Sequence, residues 1–147
     1  MKPQSILSTA RDWIWPILLA STIIMASSRS QVAAPDVPDI DKIAHFFVYG
    51  LLGTLLARVP QVVVWRGLGV YWAVALASFF GISDEFHQSF TPGRSVELAD
   101  WVMDTSGAAL AVFIYARWSA YRRFMECPLA PRSRVEIVVQ PAPDSVP

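Results

Sequence analysis

DEFHQSFTPGRSVELADWVMD, residues 84–104, is the stretch on which the fold turns. It sets Asp84, Glu85, His87, Arg94, Glu97, Asp100 and Asp104 between apolar runs, in a chain of 147 residues that is 54% hydrophobic and only 16% charged. Soluble domains carry about 25% charged residues, so this composition, with its positive mean hydropathy, points to lipid. Ionisable groups at membrane depth are costly and mark a place that a partner, substrate or proton must reach. A second polar group, Asp41-Lys-Ile-Ala-His45, opens another apolar run. Function is expected at these two clusters.

Four stretches hold the apolar mass: residues 13–28, 43–59, 68–83 and 98–118. Each is near the roughly 20 residues a helix needs to cross a hydrocarbon core of about 30 Å. Several run short, so their polar ends must sit at or just inside the interface. Unpaired strand amides are not tolerated in lipid, which excludes open sheets. The expected fold is all-α, a membrane bundle of four transmembrane helices with a polar re-entrant or interfacial segment after the third.

Residues 1–127 read as one membrane domain. Pro128, Pro131, Pro141, Pro143 and Pro147 mark residues 128–147 as a disordered cytoplasmic tail. Pro35 and Pro38 predict an irregular loop over 29–40, and Pro60 is the expected breaker of the connection at 58–66. No internal repeat is visible. Cys127 is the only cysteine, which excludes an intrachain disulfide, and net charge is zero, with nothing to suggest nucleic acid.

If all four stretches cross, Lys2, Arg11, Arg58, Arg66, Arg117, Arg122, Arg123, Arg132 and Arg134 share one side, and Arg29, Lys42 and Arg94 the other. That asymmetry predicts a multi-pass protein of the inner membrane with both termini in the cytoplasm. Both polar clusters then face outward. The first stretch admits two readings: Lys2, Arg11 and the small residues Ala26, Ser27 and Ser28 suit a cleaved signal peptide, whereas Trp13, Trp15 and Pro16 favour a retained, interface-anchored helix.

Helical spacing joins the clusters. Lys42, His45, Tyr49 and Gly53 fall on one stripe of the second stretch, Ala73, Ala77, Gly81 and Glu85 on one of the third, and Asp100, Asp104, Gly107 and Ala111 on one of the fourth. Small residues at that spacing let membrane helices approach closely, so each polar stripe continues into a packing face. The expected result is an outward-facing pocket lined by His45, Tyr49, Asp84, Glu85, His87, Arg94, Asp100 and Asp104. Thr91-Pro-Gly-Arg94 predicts a type II turn that swings Arg94 over the mouth, with Glu97 pairing with Arg94 or capping the next helix.

DKIAHFFVYGLLGTLL and DEFHQSFTPGRSVELADWVMDTSGAALA resemble the VanZ-like family of bacterial membrane proteins, named for a protein associated with teicoplanin resistance. The resemblance covers about residues 39–115 and follows a pattern of Asp-Glu-x-x-Gln, then Pro-Gly-Arg, then Asp, then Asn or Asp before Gly. Position by position it implies Asp41, Lys42, His45, Tyr49, Asp84, Glu85, Gln88, Arg94, Asp100, Asp104 and Gly107 as signature residues. Asp104 stands where relatives often have Asn, which weakens any role needing a neutral amide there. An envelope protein is what the resemblance implies.

Several chemistries fit these residues. Structural neutralisation would pair Asp41 with Lys42, or Arg94 with Asp100, with His45 packing on Tyr49 and Gln88 and Ser89 satisfying a helix end. A metal-free enzyme would use Glu85, its pKa raised by burial, with His45 as partner acid or base and Asp84 beside them, while Arg94 and Lys42 grip an anionic head group. Tyr49, His87, Gln88, Asp100 and Asp104 would complete the substrate contacts. A zinc or iron site from His45, His87 and Glu85 or Asp84 is disfavoured, because residues 85 and 87 lie on nearly opposite sides of a helix. No cofactor is implied. Recognition without catalysis would bind a lipid-linked envelope component or a glycopeptide in the same pocket. Transport ranks last, since four helices without an inverted repeat give few elements for alternating access.

Overall fold

A computed structural model describes residues 6–28, 40–63, 68–92 and 96–126 of the chain, and every regular element among them is helical. The elements run α1 (Ile6–Ser27), α2 (Ile40–Ala57), α3 (Pro60–Val63), a 3-10 turn at Gly69–Tyr71, α4 (Trp72–Gln88), α5 (Leu98–Arg117) and α6 (Ser119–Glu126). The predicted irregular loop lies outside the described residues apart from Ile40, which begins α2. The proline-rich tail and the tip of the predicted turn, Gly93, Arg94 and Ser95, lie outside them as well.

The apolar stretches become the four long helices with shifted ends. α2 begins three residues before its apolar run, with Asp41 in its first turn, where negative charge suits the exposed amides of a helix start. α4 continues five residues beyond Ser83, so Asp84, Glu85 and Gln88 ride on its last turns. Pro60 lies past the end of α2, where a break was expected. It opens the short helix α3, because the first helical position needs no amide hydrogen and proline's fixed φ already suits it.

Of the described helices, α2 alone is long and apolar enough to cross a membrane by length and composition. α4 has 17 residues, with two carboxylates near its end, and α5 carries Asp100 and Asp104 in its first two turns.

α2 and α5 form the most extensive helix pair, α4 packs across both, and α1 lies against α2 and α4. Small residues set these distances. A Cβ on Gly107 would overlap the Phe46 carbonyl oxygen, and one on Gly53 would come within 3.1 Å of Ala108, so the α2 and α5 backbones nearly touch. Ala73, Ala77 and Ala108 are wholly buried on the faces the small-residue spacing marks out or beside them. Leu52, Leu56, Val59, Val112 and Tyr115 fill the core toward the end remote from Asp84.

α6 was not expected from the sequence. The chain leaves α5 through an extended Trp118, and Arg122 turns back to donate to the carbonyl oxygens of Tyr115 (3.2 Å) and Ala116 (2.7 Å). A cation thereby satisfies carbonyls that the helix end leaves open.

Candidate functional site

At the Asp84 end of the bundle, polar side chains from four helices meet. α2 turns His45 and Tyr49 inward; α4 supplies Asp84, Glu85 and Gln88; α5 supplies Asp100 and Asp104; and α1 adds Ser27. Asp84, Glu85, Gln88, Asp100 and Asp104 are all at least nine-tenths buried. The group is therefore packed side chain against side chain, at the end of helices whose remaining inward faces are apolar.

Asp84 is its hub. One oxygen, Oδ2, accepts from Ser27 Oγ at 2.9 Å, Tyr49 Oη at 3.3 Å and Gln88 Nε2 at 3.3 Å, which ties α1, α2 and α4 to a single atom. A carboxylate with several donors is the arrangement that tolerates burial best. Tyr49 is 1% exposed, and its ring lies nearly parallel to that of His45 and beside Phe80.

His45 and Asp104 form the second unit. His45 Nδ1 lies 2.9 Å from Asp104 Oδ1, with the imidazole side chain 17% exposed and the carboxylate 1%. The carboxylate fixes the ring's orientation and leaves Nε2 as the nitrogen available to anything arriving from outside. Asp104 Oδ2 points at α4, where a Cβ on Gly81 would lie 2.8 Å from it. Glycine at 81 is what lets Asp104 reach so far into the bundle.

A third unit lies at the start of α5. The Glu97 amide donates to Glu85 Oε2 at 2.9 Å, and the Glu97 carboxylate lies 3.5 Å from Lys42 Nζ, which is also 3.7 Å from Asp41. Glu97 occupies the cap position of α5 but makes no side-chain cap, so the expected capping gives way to an ion pair with α2. Its alternative partner Arg94 lies outside the described residues, as does the pairing of Arg94 with Asp100. Lys42 already shares its charge between two carboxylates.

Of the residues named from sequence, Tyr49, Asp84 and Gln88 thus form one hydrogen-bonded set and His45 and Asp104 another, with Glu85 and Asp100 buried beside them. His87 is separate: its ring is exposed, and Nε2 lies 2.9 Å from Oγ of Ser28, just past the end of α1. Among the described residues no group of three or more His, Cys, Asp or Glu side chains is arranged to hold a metal ion. Ser89 Oγ donates to the Phe86 carbonyl at 2.6 Å, as a helix end requires.

Ser27 and Ser28 are the participants that sequence reasoning missed. Both sit in a run of small residues that looked like a cleavage region, although a serine pair four helical turns beyond an anchoring tryptophan is also what a helix end needs to meet buried acids. Ser78 was missed too: it bridges Thr105 Oγ1 at 2.8 Å and Trp101 Nε1 at 3.1 Å, pinning α4 to α5.

The order of polar residues on these helices and the all-helical architecture agree with a match to the VanZ/LLP1 family model over residues 4–119. The chain belongs to that family, and the match takes in α1 as well as the two signature stretches. No curated protein and no solved structure matches it.

Proposed function

We propose that this protein spans the cytoplasmic membrane on α1, α2, α4 and α5, with both termini inside, and that its buried polar cluster faces outward and binds a lipid-linked component of the envelope. One observation carries the reading: the molecule is apolar outside and charged within. Trp15, Ile17, Met25, Phe47, Phe79, Phe86 and Phe113 are exposed around the four long helices, whereas Asp84, Glu85, Asp100 and Asp104 are buried between them. Exposed apolar area of this extent has a natural solvent in lipid, and acids turned inward are how membrane bundles carry function. Ser27 on Asp84 and a family match that begins at residue 4 support a retained first helix. By way of the family, binding at this site lowers susceptibility to teicoplanin.

Two experiments test the proposal. In a Cys127→Ser background, a cysteine substituted at Ser95 reacts with an impermeant maleimide from outside intact spheroplasts; reaction only after lysis reverses the topology. Expression in a susceptible host raises the teicoplanin concentration needed to stop growth, and Glu85→Gln or Asp104→Asn removes that gain at unchanged membrane abundance. Loss of the protein along with the gain would leave the residues a structural role.

A second reading has its own observation, the His45–Asp104 pair. An imidazole oriented by a buried carboxylate is a general base, with Glu85 as the acid on the neighbouring helix, and would act on a lipid or phosphate-bearing substrate. Incubating purified protein with envelope lipids distinguishes the two: new product masses favour the enzyme, and retention of unaltered lipid favours the binder.

A further inference from the structure

Four carboxylates at this site each leave one oxygen unused. Asp84 Oδ1, Glu85 Oε1, Asp100 Oδ1 and Asp104 Oδ2 are buried and have no hydrogen-bond partner. Their second oxygens are not uniformly short of donors. Asp84 Oδ2 has three, Asp104 Oδ1 has His45 and Glu85 Oε2 has the Glu97 amide. The local donors have been drawn to one oxygen of each of these groups, and the other is left bare. An unmet buried acceptor is costly, more so when charged, and calls for an explanation.

We infer that the group which completes this site is a primary ammonium, presented by the head group of a lipid. The inference rests on the reading of the cluster as a lipid-binding site and adds the chemistry of what is gripped. The orphaned atoms are all acceptors, so the ligand must bring donors. They are all carboxylate oxygens, and among the described residues the nearby cation Lys42 already sits between Asp41 and Glu97, so the ligand gains by bringing positive charge. A phosphate or carboxylate fails on both counts. A trimethylammonium has the charge without a donor, and a hydroxyl has the donor without the charge. A primary ammonium has three N–H groups and the charge. His45, 17% exposed beside the 1% exposed Asp104, marks the side of approach.

The test uses the full chain, purified and offered equal amounts of phosphatidylethanolamine, phosphatidylcholine and phosphatidylglycerol with identical acyl chains, the retained lipids being read by native mass spectrometry. Phosphatidylethanolamine is expected to be retained about tenfold over each of the others, the worth of one charge-assisted hydrogen bond. Asp104→Asn and Asp84→Asn should bring it down to the phosphatidylcholine level. Equal retention of the ethanolamine and choline lipids overturns the ammonium inference. So does a preference for phosphatidylglycerol, and if that preference depends on Asp104, the lipid-binding reading survives without the ammonium. Retention with no head-group preference and no response to either variant sinks both. Millimolar ethanolamine that displaces the bound lipid moves the source of the ammonium from the bilayer to solution and overturns the lipid assignment. Because the head-group series is run on the unaltered chain, the result stands even if a variant fails to fold.

Discussion

The α2–α5 seam and the junction of α1 with the bundle hold helices together by opposite means. Along the seam, Gly53 and Gly107 let two backbones meet, and cohesion comes from close packing over most of the helix length. At the junction, Ile23 is the α1 side chain in the buried apolar core, and the last turn is fastened by hydroxyls, Ser27 on Asp84 and Ser28 on His87. One contact is defined by what must be absent from it, the other by what must be present. Their failures should therefore differ in size and kind.

The largest effect is predicted at Gly107. In Gly107→Val a side chain must occupy the space of the Phe46 carbonyl, and backbone cannot give way as a flexible side chain does. Overpacking costs about 1–3 kcal/mol even where side chains can adjust, so the variant should fail to accumulate in membranes, as immunoblotting would show. Normal accumulation would mean that the helices do not meet as described. Gly53→Ala, whose Cβ would lie 3.1 Å from Ala108, should give a smaller loss of thermal stability than Gly107→Val.

Asp84→Ala comes next. It removes the acceptor that three donors share, at about 1–3 kcal/mol. Asp84→Asn keeps an acceptor and should fall between the variant and the parent in thermal unfolding; equal losses for Asn and Ala would show that the carboxylate charge, not the acceptor, matters. Ser27→Ala removes two interhelical hydrogen bonds, the donation to Asp84 at 2.9 Å and a longer one accepted from Gln88 at 3.5 Å, each worth about 0.6 kcal/mol on average in membrane proteins. Its effect should be confined to α1 in hydrogen exchange, with protection of α2 and α5 unchanged. The smallest change is expected for Glu97→Ala: the ion pair with Lys42 is partly exposed and worth about 0–1 kcal/mol, while the amide that serves Glu85 remains. A loss as large as that of Asp84→Ala would place Glu97 among the essential members of the cluster.

Much of this is legible in the chain itself. Polar residues and glycines at three- and four-residue spacing showed which face of α2, α4 and α5 turns inward, because helical period is a local property. The pairing of His45 with Asp104 was not readable: 59 residues separate them, and only the distance set by Gly107 and Gly81 selects Asp104 over Asp100. Nor was the role of Ser27, since a small hydroxyl residue carries no directional signal until the acid opposite it is known. α6 escaped because Arg122 and Arg123 were read as topology markers, although an arginine five residues beyond a helix end is well placed to reach its carbonyls. His87 shows the converse limit. Adjacent in sequence to the cluster, it is turned by helical geometry toward α1 and away from His45.

The near contact of α2 with α5 also bears on motion. Two rods touching main chain to main chain cannot slide or twist past one another without collision, so they travel as a single plank. Any opening of the polar end must come from displacing α1 or tilting α4. A plank carrying His45 on one edge and Asp104 on the other keeps that dyad assembled throughout the movement, which suits a receptor that uncovers a fixed grip far better than a carrier that must rock between two faces.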